Sequence, residues 1–111
     1  MSINIQTVLE RTGLPAYNSA YRRGDDEQMP EEYLIYSVVM TMADWWDDRY
    51  NSKKILVTVH VCSRGNPMES AGRVCYEMAG EGLSLVTAQD LYDEDADLYI
   101  KVMQFAGKED V

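Results

Sequence analysis

Residues 55–78 read ILVTVHVCSRGNPMESAGRVCYEM, and this run decides the fold class. Its first eight residues alternate with a period of two and are rich in β-branched side chains, a pattern typical of a strand. The polar turn at 63–67 ends the strand. Asn66, Pro67 and Glu69 are then suited to cap, begin and close the first turn of a helix. A strand followed directly by a capped helix predicts a mixed α and β domain.

The segments on either side of this run extend the prediction to the order α-β-β-β-α-β-β. Short connections between strands predict antiparallel pairing, and the helices should cover one face of the sheet. The expected fold class is therefore α+β, a small mixed, mainly antiparallel sheet of four to five strands with two helices packed on it. Before 55–78, the sequence predicts a helix that is capped by Ser2, buries Ile5, Val8 and Leu9, and ends at Gly13 and Pro15. A short edge strand within 14–21, a polar loop at 22–32 and a central strand at 33–42 follow it. After 55–78, the predicted elements are a short strand at 83–87, an acidic connection at 89–97, a last strand at 98–105 and a frayed tail at 107–111.

Length, composition and charge narrow the class of protein. A chain of 111 residues predicts a single domain over 1–111, and 46% hydrophobic with 26% charged residues is typical of a globular protein. The net charge of −9 disfavours binding to nucleic acid or to anionic membranes, because phosphate groups are bound by Lys and Arg. The sequence lacks the pattern of a signal peptide and any run of about 18 apolar residues. We expect a soluble protein that is made and kept in a cytoplasm.

The residues able to carry catalysis or bind a metal form no recognisable site. Cys62 and Cys75 fall in different apolar patterns, which predicts two reduced structural thiols rather than a disulfide. His60, the single histidine, lies mid-strand two residues from Cys62, and a packed or hydrogen-bonded role is favoured over a Cys-His catalytic pair. A structural zinc site needs about four ligands, which these residues do not supply. No catalytic residue, cofactor or metal site is predicted.

The densest group of carboxylates follows the pattern of a calcium loop only at its start. Asp93, Asp95 and Asp97 match the first three ligand positions. Such a loop then requires glycine at its sixth position and glutamate at its twelfth, where this chain has Leu98 and Gln104. We therefore interpret this segment as a solvated hairpin connection.

Two adjacent tryptophans between two strongly predicted strands give the candidate interface. Neighbouring residues of an extended segment point to opposite sides, so Trp45 and Trp46 cannot easily both enter the core. Exposed aromatic residues flanked by charge are typical of interface anchors, although one of the two could instead seal the sheet edge. The predicted interface residues are Asp44, Trp45, Trp46, Asp47, Asp48 and Tyr50.

Four short segments, in this order and spacing, carry a resemblance to a known family. They are TGLPAY at 12–17, PEEYLIY at 30–36, VTVHVCS at 57–63 followed by GNP at 65–67, and DLYDED at 90–95. In these segments the chain resembles the small tail-completion proteins of long-tailed bacteriophages and prophages, of the tail-terminator or tail-to-head joining type. Asp44 fits the polar segment that this family places after its first strong strand. The pair Trp45-Trp46 is particular to this chain, and the helix residues 73–78 are only generically similar.

The resemblance implies a role as well as a fold. Such proteins have a small sheet with helices against it and form a ring, often sixfold, that caps the tail tube and offers the surface to which the head docks. It therefore implies a homo-oligomeric ring, with tail-tube and head-connector proteins as partners and no catalytic residues. The expected location is the bacterial host cytoplasm during assembly, and then the tail or neck of the virion.

Several alternatives to a tail-completion protein stay open at this stage. The close alternatives are a head-completion or connector component and a tail assembly factor that is absent from the virion. The charge of −9 also fits an acidic binding module or inhibitor of a host protein, although the carboxylates are spread over several loops. A small enzyme ranks last, because no substrate or catalytic constellation suggests itself.

Overall fold

The computed structural model describes residues 4–18, 31–42 and 52–110 of the chain. The element order is the predicted α-β-β-β-α-β-β, and one sheet with two helices confirms the α+β fold class. The helices are α1 (Ile5–Glu10) and α2 (Met68–Gly80), and the strands are β1 (Ala16–Asn18), β2 (Glu32–Met42), β3 (Ser52–Ser63), β4 (Ser84–Asp93) and β5 (Leu98–Asp110).

The five strands form one mixed sheet in the order β1-β2-β3-β5-β4. Strand β1 pairs parallel with β2, as a short edge strand, and the other three pairings are antiparallel. The strongest strand signal of the sequence, β3, lies at the centre of the sheet. Its neighbour β2 has a strand on each side, as the apolar residues on both of its faces predicted.

Both helices cover one face of the sheet, as expected, and the core lies between them and the strands. On this face the valines of β3 pack against the apolar residues of both helices. Every second residue of β3 is therefore buried, in line with the alternation in the sequence. Helix α1 is also tied to two strands by Gln6. Its Oε1 accepts a hydrogen bond from the Tyr36 hydroxyl at 2.6 Å, and its Nε2 donates to the Ala16 carbonyl at 2.9 Å. The core residues common to these elements include Val8, Leu9, Leu34, Ile55, Val57, Val59, Val61, Val74, Met78, Met103 and Phe105.

The helix starts differ slightly from the predicted caps. Asn4 caps α1, because its side-chain oxygen accepts from the Thr7 N–H at 3.2 Å, whereas Ser2 lies outside the described residues. At α2 the Asn66 side chain accepts from the Met68 N–H at 3.0 Å, as predicted, but the helix begins one residue after Pro67. Glu69 does not reach back to close a capping box. It binds Arg73 instead, at 2.9 Å, one turn further along the helix.

Two strand ends were wrong in the sequence-based prediction. The segment predicted as a short strand at 83–87 and an acidic connection at 89–97 is a ten-residue strand, Ser84–Asp93, followed by a turn at 94–97. The tail predicted to be frayed after residue 107 continues β5 as far as Asp110 and pairs with the start of β3. Both errors have the same cause, since backbone pairing with a neighbouring strand holds polar residues in a sheet against their low strand propensity.

A glycine in β5 allows this strand to pass close to the end of α2. A Cβ at Gly107 would lie 2.7 Å from Leu83 Cδ2 and 3.0 Å from the Gly82 carbonyl oxygen, and Leu83 is buried. We expect Gly107→Ala to lower the free energy of unfolding by about 1–3 kcal/mol in urea denaturation, because the added methyl group overpacks the site. Gly72→Ala is the matched control. It adds the same methyl group in open space on α2 and should raise stability by about 0.5–1 kcal/mol. Equal stability of the Gly107→Ala variant and the wild type would contradict this packing.

Candidate functional site

The interface predicted from the sequence lies outside the described residues. Asp44, Trp45, Trp46, Asp47, Asp48 and Tyr50 all belong to the connection between β2 and β3. The strands on either side of it are paired as far as Met42 and Lys53. The role of these six residues in an interface therefore stays a prediction.

The most exposed element of the described sheet is its edge strand β4. All ten of its residues are exposed, and β5 is its neighbour in the sheet. Its large apolar side chains have exposed fractions of 47% for Leu85, 57% for Val86, 45% for Leu91 and 47% for Tyr92. Proteins usually protect such an edge with Lys, Pro or a covering element, because its unpaired backbone groups invite another strand. The sequence of β4 contains neither Lys nor Pro, and its exposed apolar side chains make this edge a candidate interaction surface.

The turn between β4 and β5 satisfies its own polar groups. The Asp93 side chain accepts from the backbone N–H of Asp95 at 3.0 Å and of Ala96 at 3.3 Å. Asp97 adopts a left-handed conformation, with φ of 53°, and accepts from the Tyr92 hydroxyl at 2.7 Å. That hydrogen bond raises the pKa of Tyr92 above its ordinary value. These bonds give the turn the structure of a hairpin connection, and across the described ranges no three His, Cys, Asp or Glu side chains converge as metal ligands would.

Two aromatic rings stiffen the hairpin next to this turn. The rings of Tyr92 and Tyr99 lie with their centroids 4.8 Å apart and face each other across the strand pair. Beside them, Lys101 binds Asp90 at 3.1 Å, a surface ion pair of small energetic value. A cavity of about 200 Å³ opens between this hairpin and the first residues of α2. Its lining residues are Asn66, Pro67, Met68, Asp90, Leu91, Tyr99, Ile100 and Lys101.

A wider cleft of about 550 Å³ separates the end of α1 from α2. Arg11 and Arg73 line it, but each is already bound to a carboxylate at 2.9 Å, Arg11 to Glu81 and Arg73 to Glu69. Since these charges neutralise one another, the cleft has little electrostatic attraction for a charged ligand. Tyr76, exposed by 79%, is the large apolar side chain at its rim.

Cys62 is buried, and Cys75 and His60 are half-buried. Burial raises the pKa of the Cys62 thiol, although a hydrogen bond with Tyr33 lowers it in part, and burial also raises the pKa of Cys75. Both thiols are free, and they belong to opposite faces of the sheet, which confirms the prediction of two reduced cysteines. The Cys62 thiol is directed at the His60 carbonyl oxygen, 3.9 Å away. A raised thiol pKa is the reverse of what a nucleophilic cysteine requires.

Thiol labelling checks this placement. We expect both cysteines of the folded protein to react with iodoacetamide more slowly than a cysteine in an unfolded peptide, because the thiolate is the reactive form and burial disfavours it. Because the pKa of each thiol is raised, the rate should still be rising with pH above 9.0, where the rate of an ordinary thiol levels off. Cys62→Ala and Cys75→Ala variants assign the two rates, and full denaturation gives the reference rate. Labelling of Cys62 at the unfolded rate would contradict its burial.

The sequence predicted the first part of this edge strand, within 83–87, and missed its continuation over 88–93 because the signal there is divided. The motif Leu-Tyr at 91–92 has strand propensity, but Asp90 and Asp93 on either side favour a loop. The pairing partner that resolves the conflict is β5, which starts with three residues of strand-forming type at 98–100.

Neither helix of the described residues could span a bilayer, because α1 has 6 residues and α2 has 13.

Comparison with known proteins supports the fold and leaves the family open. No protein-family model matches the chain, and no curated protein matches it. Among solved structures, a chain of the "Virion of native gene transfer agent (GTA) particle" is similar, with a TM-score of 0.57 and 12% sequence identity. The match covers 99% of this chain and 87% of that chain. A likeness at this identity shows a shared fold over nearly the whole domain.

Proposed function

We propose that this protein is a structural component of a phage or phage-like virion. In this proposal it belongs to the tail or the head-tail joining region, where it caps the tail tube as a homo-oligomeric ring and provides the head docking surface. The observation that carries the proposal is the fold shared with a chain of a gene transfer agent virion over 99% of the present chain. The tail-completion resemblance of segments 12–17, 30–36, 57–67 and 90–95 adds the position within the particle.

The described surface supports an assembly role more than an enzymatic one. Its most prominent feature is an exposed strand with four large apolar side chains, which is a feature of surfaces that bind other proteins. Within residues 4–18, 31–42 and 52–110, the pKa values of Cys62, Cys75 and Tyr92 are raised, which favours the protonated form of each group. We accordingly propose a structural role without catalysis. The proposed partners are other copies of the chain, the tail tube and the head connector.

Native mass spectrometry over a concentration series tests the ring. A closed oligomer of more than two copies, especially a hexamer, supports a ring, because heterologous contacts that close generate cyclic symmetry. An unlimited ladder of masses contradicts it. If larger species are absent, the same measurement is repeated with purified tail tubes, and failure to bind them overturns the proposal.

Mass spectrometry of purified particles separates the proposed role from its close alternatives. Several copies in the particle support a virion component, and copies found in isolated tails rather than isolated heads support the tail terminator over a head-completion protein. A chain that is abundant in the lysate and missing from the particle would instead be an assembly factor.

A further inference from the structure

The edge strand β4 has a pattern of residue classes that reads alike in both directions. From Ser84 it runs polar, apolar, apolar, polar, and after the central Ala88-Gln89 it again runs polar, apolar, apolar, polar to Asp93. Antiparallel strands run in opposite directions, so a second β4 placed beside the first meets residues of matching class. We propose that β4 pairs antiparallel with β4 of a second copy about a twofold axis, which joins the two five-stranded sheets into one.

The bulge in β4 restricts the register of this pairing. Leu85 pairs with Phe105 and Thr87 with Gln104 of β5, so Val86 is an additional residue that shifts the alternation of the strand. Directly opposed residues must lie on the same face of the sheet. With one bulge in each copy, this condition is met when Ala88, Gln89 or Asp90 lies directly opposite the same residue of the second copy, with the twofold axis between them.

Charge and apolar contact select Gln89 among these three. A register centred on Asp90 would oppose two carboxylates, and one centred on Ala88 would oppose Asp90 to Leu85 and leave Tyr92 beyond the end of the partner strand. The Gln89 register brings Tyr92 opposite Leu85 of the second copy. It also brings Leu91 opposite Thr87 and the additional bulge residue Val86, and it opposes no two charges.

This pairing would account for the exposure of β4 on both of its faces. Tyr92 and Leu85 lie on the face that carries the helices, and Leu91 and Val86 lie on the other face, so the contact buries apolar groups above and below the strands. The partner is a second copy because the pattern complements itself. A twofold contact uses the same surface on both copies and closes at two, so it is separate from a ring interface and does not rest on the proposed function.

Site-specific cross-linking tests the register. In the Gln89→Cys variant, the new thiols of two copies lie opposite each other, and a short bis-thiol reagent should give a covalent dimer. Ser84→Cys alone should give no covalent dimer, because the two introduced thiols of the paired copies lie about 30 Å apart at ~3.3 Å per residue. An equal mixture of Ser84→Cys and Asp93→Cys should form the mixed dimer, since these positions are opposed. Wild-type protein controls for Cys62 and Cys75. No dimer above the wild-type background with Gln89→Cys would overturn the proposal, as would equal cross-linking of Ser84→Cys alone.

Sedimentation equilibrium supplies an independent measurement on unmodified protein. Below the concentration at which a ring assembles, the wild type should show a dimer. Leu91→Asp should raise the dissociation constant of this dimer about tenfold or more, because it places a charge within the apolar contact. Tyr76→Asp is the matched control, since it introduces the same charge at an exposed aromatic residue on α2 and should leave the constant unchanged. Circular dichroism confirms that both variants fold. A strictly monomeric wild type, or equal effects of the two substitutions, would overturn the proposal.

Discussion

Phe105→Ala should lower the free energy of unfolding by about 3–5 kcal/mol. Among the residues that the structure describes, Phe105 is the largest fully buried side chain, with 1% of its surface exposed, and it pairs with Val57 on the helix-covered face. Truncation removes the buried ring and leaves a cavity that the close-packed valines of β3 cannot fill. A domain of this size has a total stability of about 5–15 kcal/mol, so the loss is a large part of the whole.

Urea denaturation followed by circular dichroism measures this loss, and the same strand offers a control. Lys108 is exposed on β5 and lies opposite Lys54, so Lys108→Ala removes one of two opposed like charges. It should change stability by no more than about 0.5 kcal/mol. A similar effect of Phe105→Ala and Lys108→Ala would contradict the described core.

The centre of this fold could be predicted from local sequence. The alternation in β3 predicted a strand, and the structure buries one of its two sets of residues, Ile55, Val57, Val59 and Val61. A shift of one residue would expose this whole apolar set. The stripe of Ile5, Val8 and Leu9 on α1 was predicted for the same reason. These elements are specified by their own residues, since periodicity determines which face is buried.

The edges of the fold could not be predicted in this way. The strand predicted at 83–87 covers only the first part of β4. Since β4 has no buried residue, no apolar periodicity marks its continuation to Asp93, which depends on backbone pairing with β5. The end of β5 is similar, because residues 107–110 are held by β3 across the sheet. The parallel placement of β1 against β2 also depends on contacts distant in sequence. The candidate surface on β4 therefore becomes visible only when the neighbours of the strand are known.

The double substitution Trp45→Ser/Trp46→Ser should abolish ring assembly while the domain stays folded. Adjacent residues in an extended segment face opposite sides, so at least one ring is expected to be free to contact a neighbour. Buried aromatic anchors dominate the energy of protein interfaces. The loss of two of them should raise the protein concentration needed for assembly by far more than tenfold. The fully buried side chains of the described core come from the helices and from strands β2, β3 and β5 and the residue before β4, which supports the expectation that folding survives.

Native mass spectrometry and a thermal melt, taken on the same samples, separate assembly from folding. Tyr76→Ser is the matched control, because it removes an exposed aromatic side chain from α2 and should leave both the oligomer and the melting temperature unchanged. The two proposed contacts then predict different products. A ring that depends on the tryptophans should fall to the β4-paired dimer in the double variant, and to the monomer when Leu91→Asp is added, since the two surfaces are separate. An unchanged ring in the folded double variant would remove residues 44–50 from the interface.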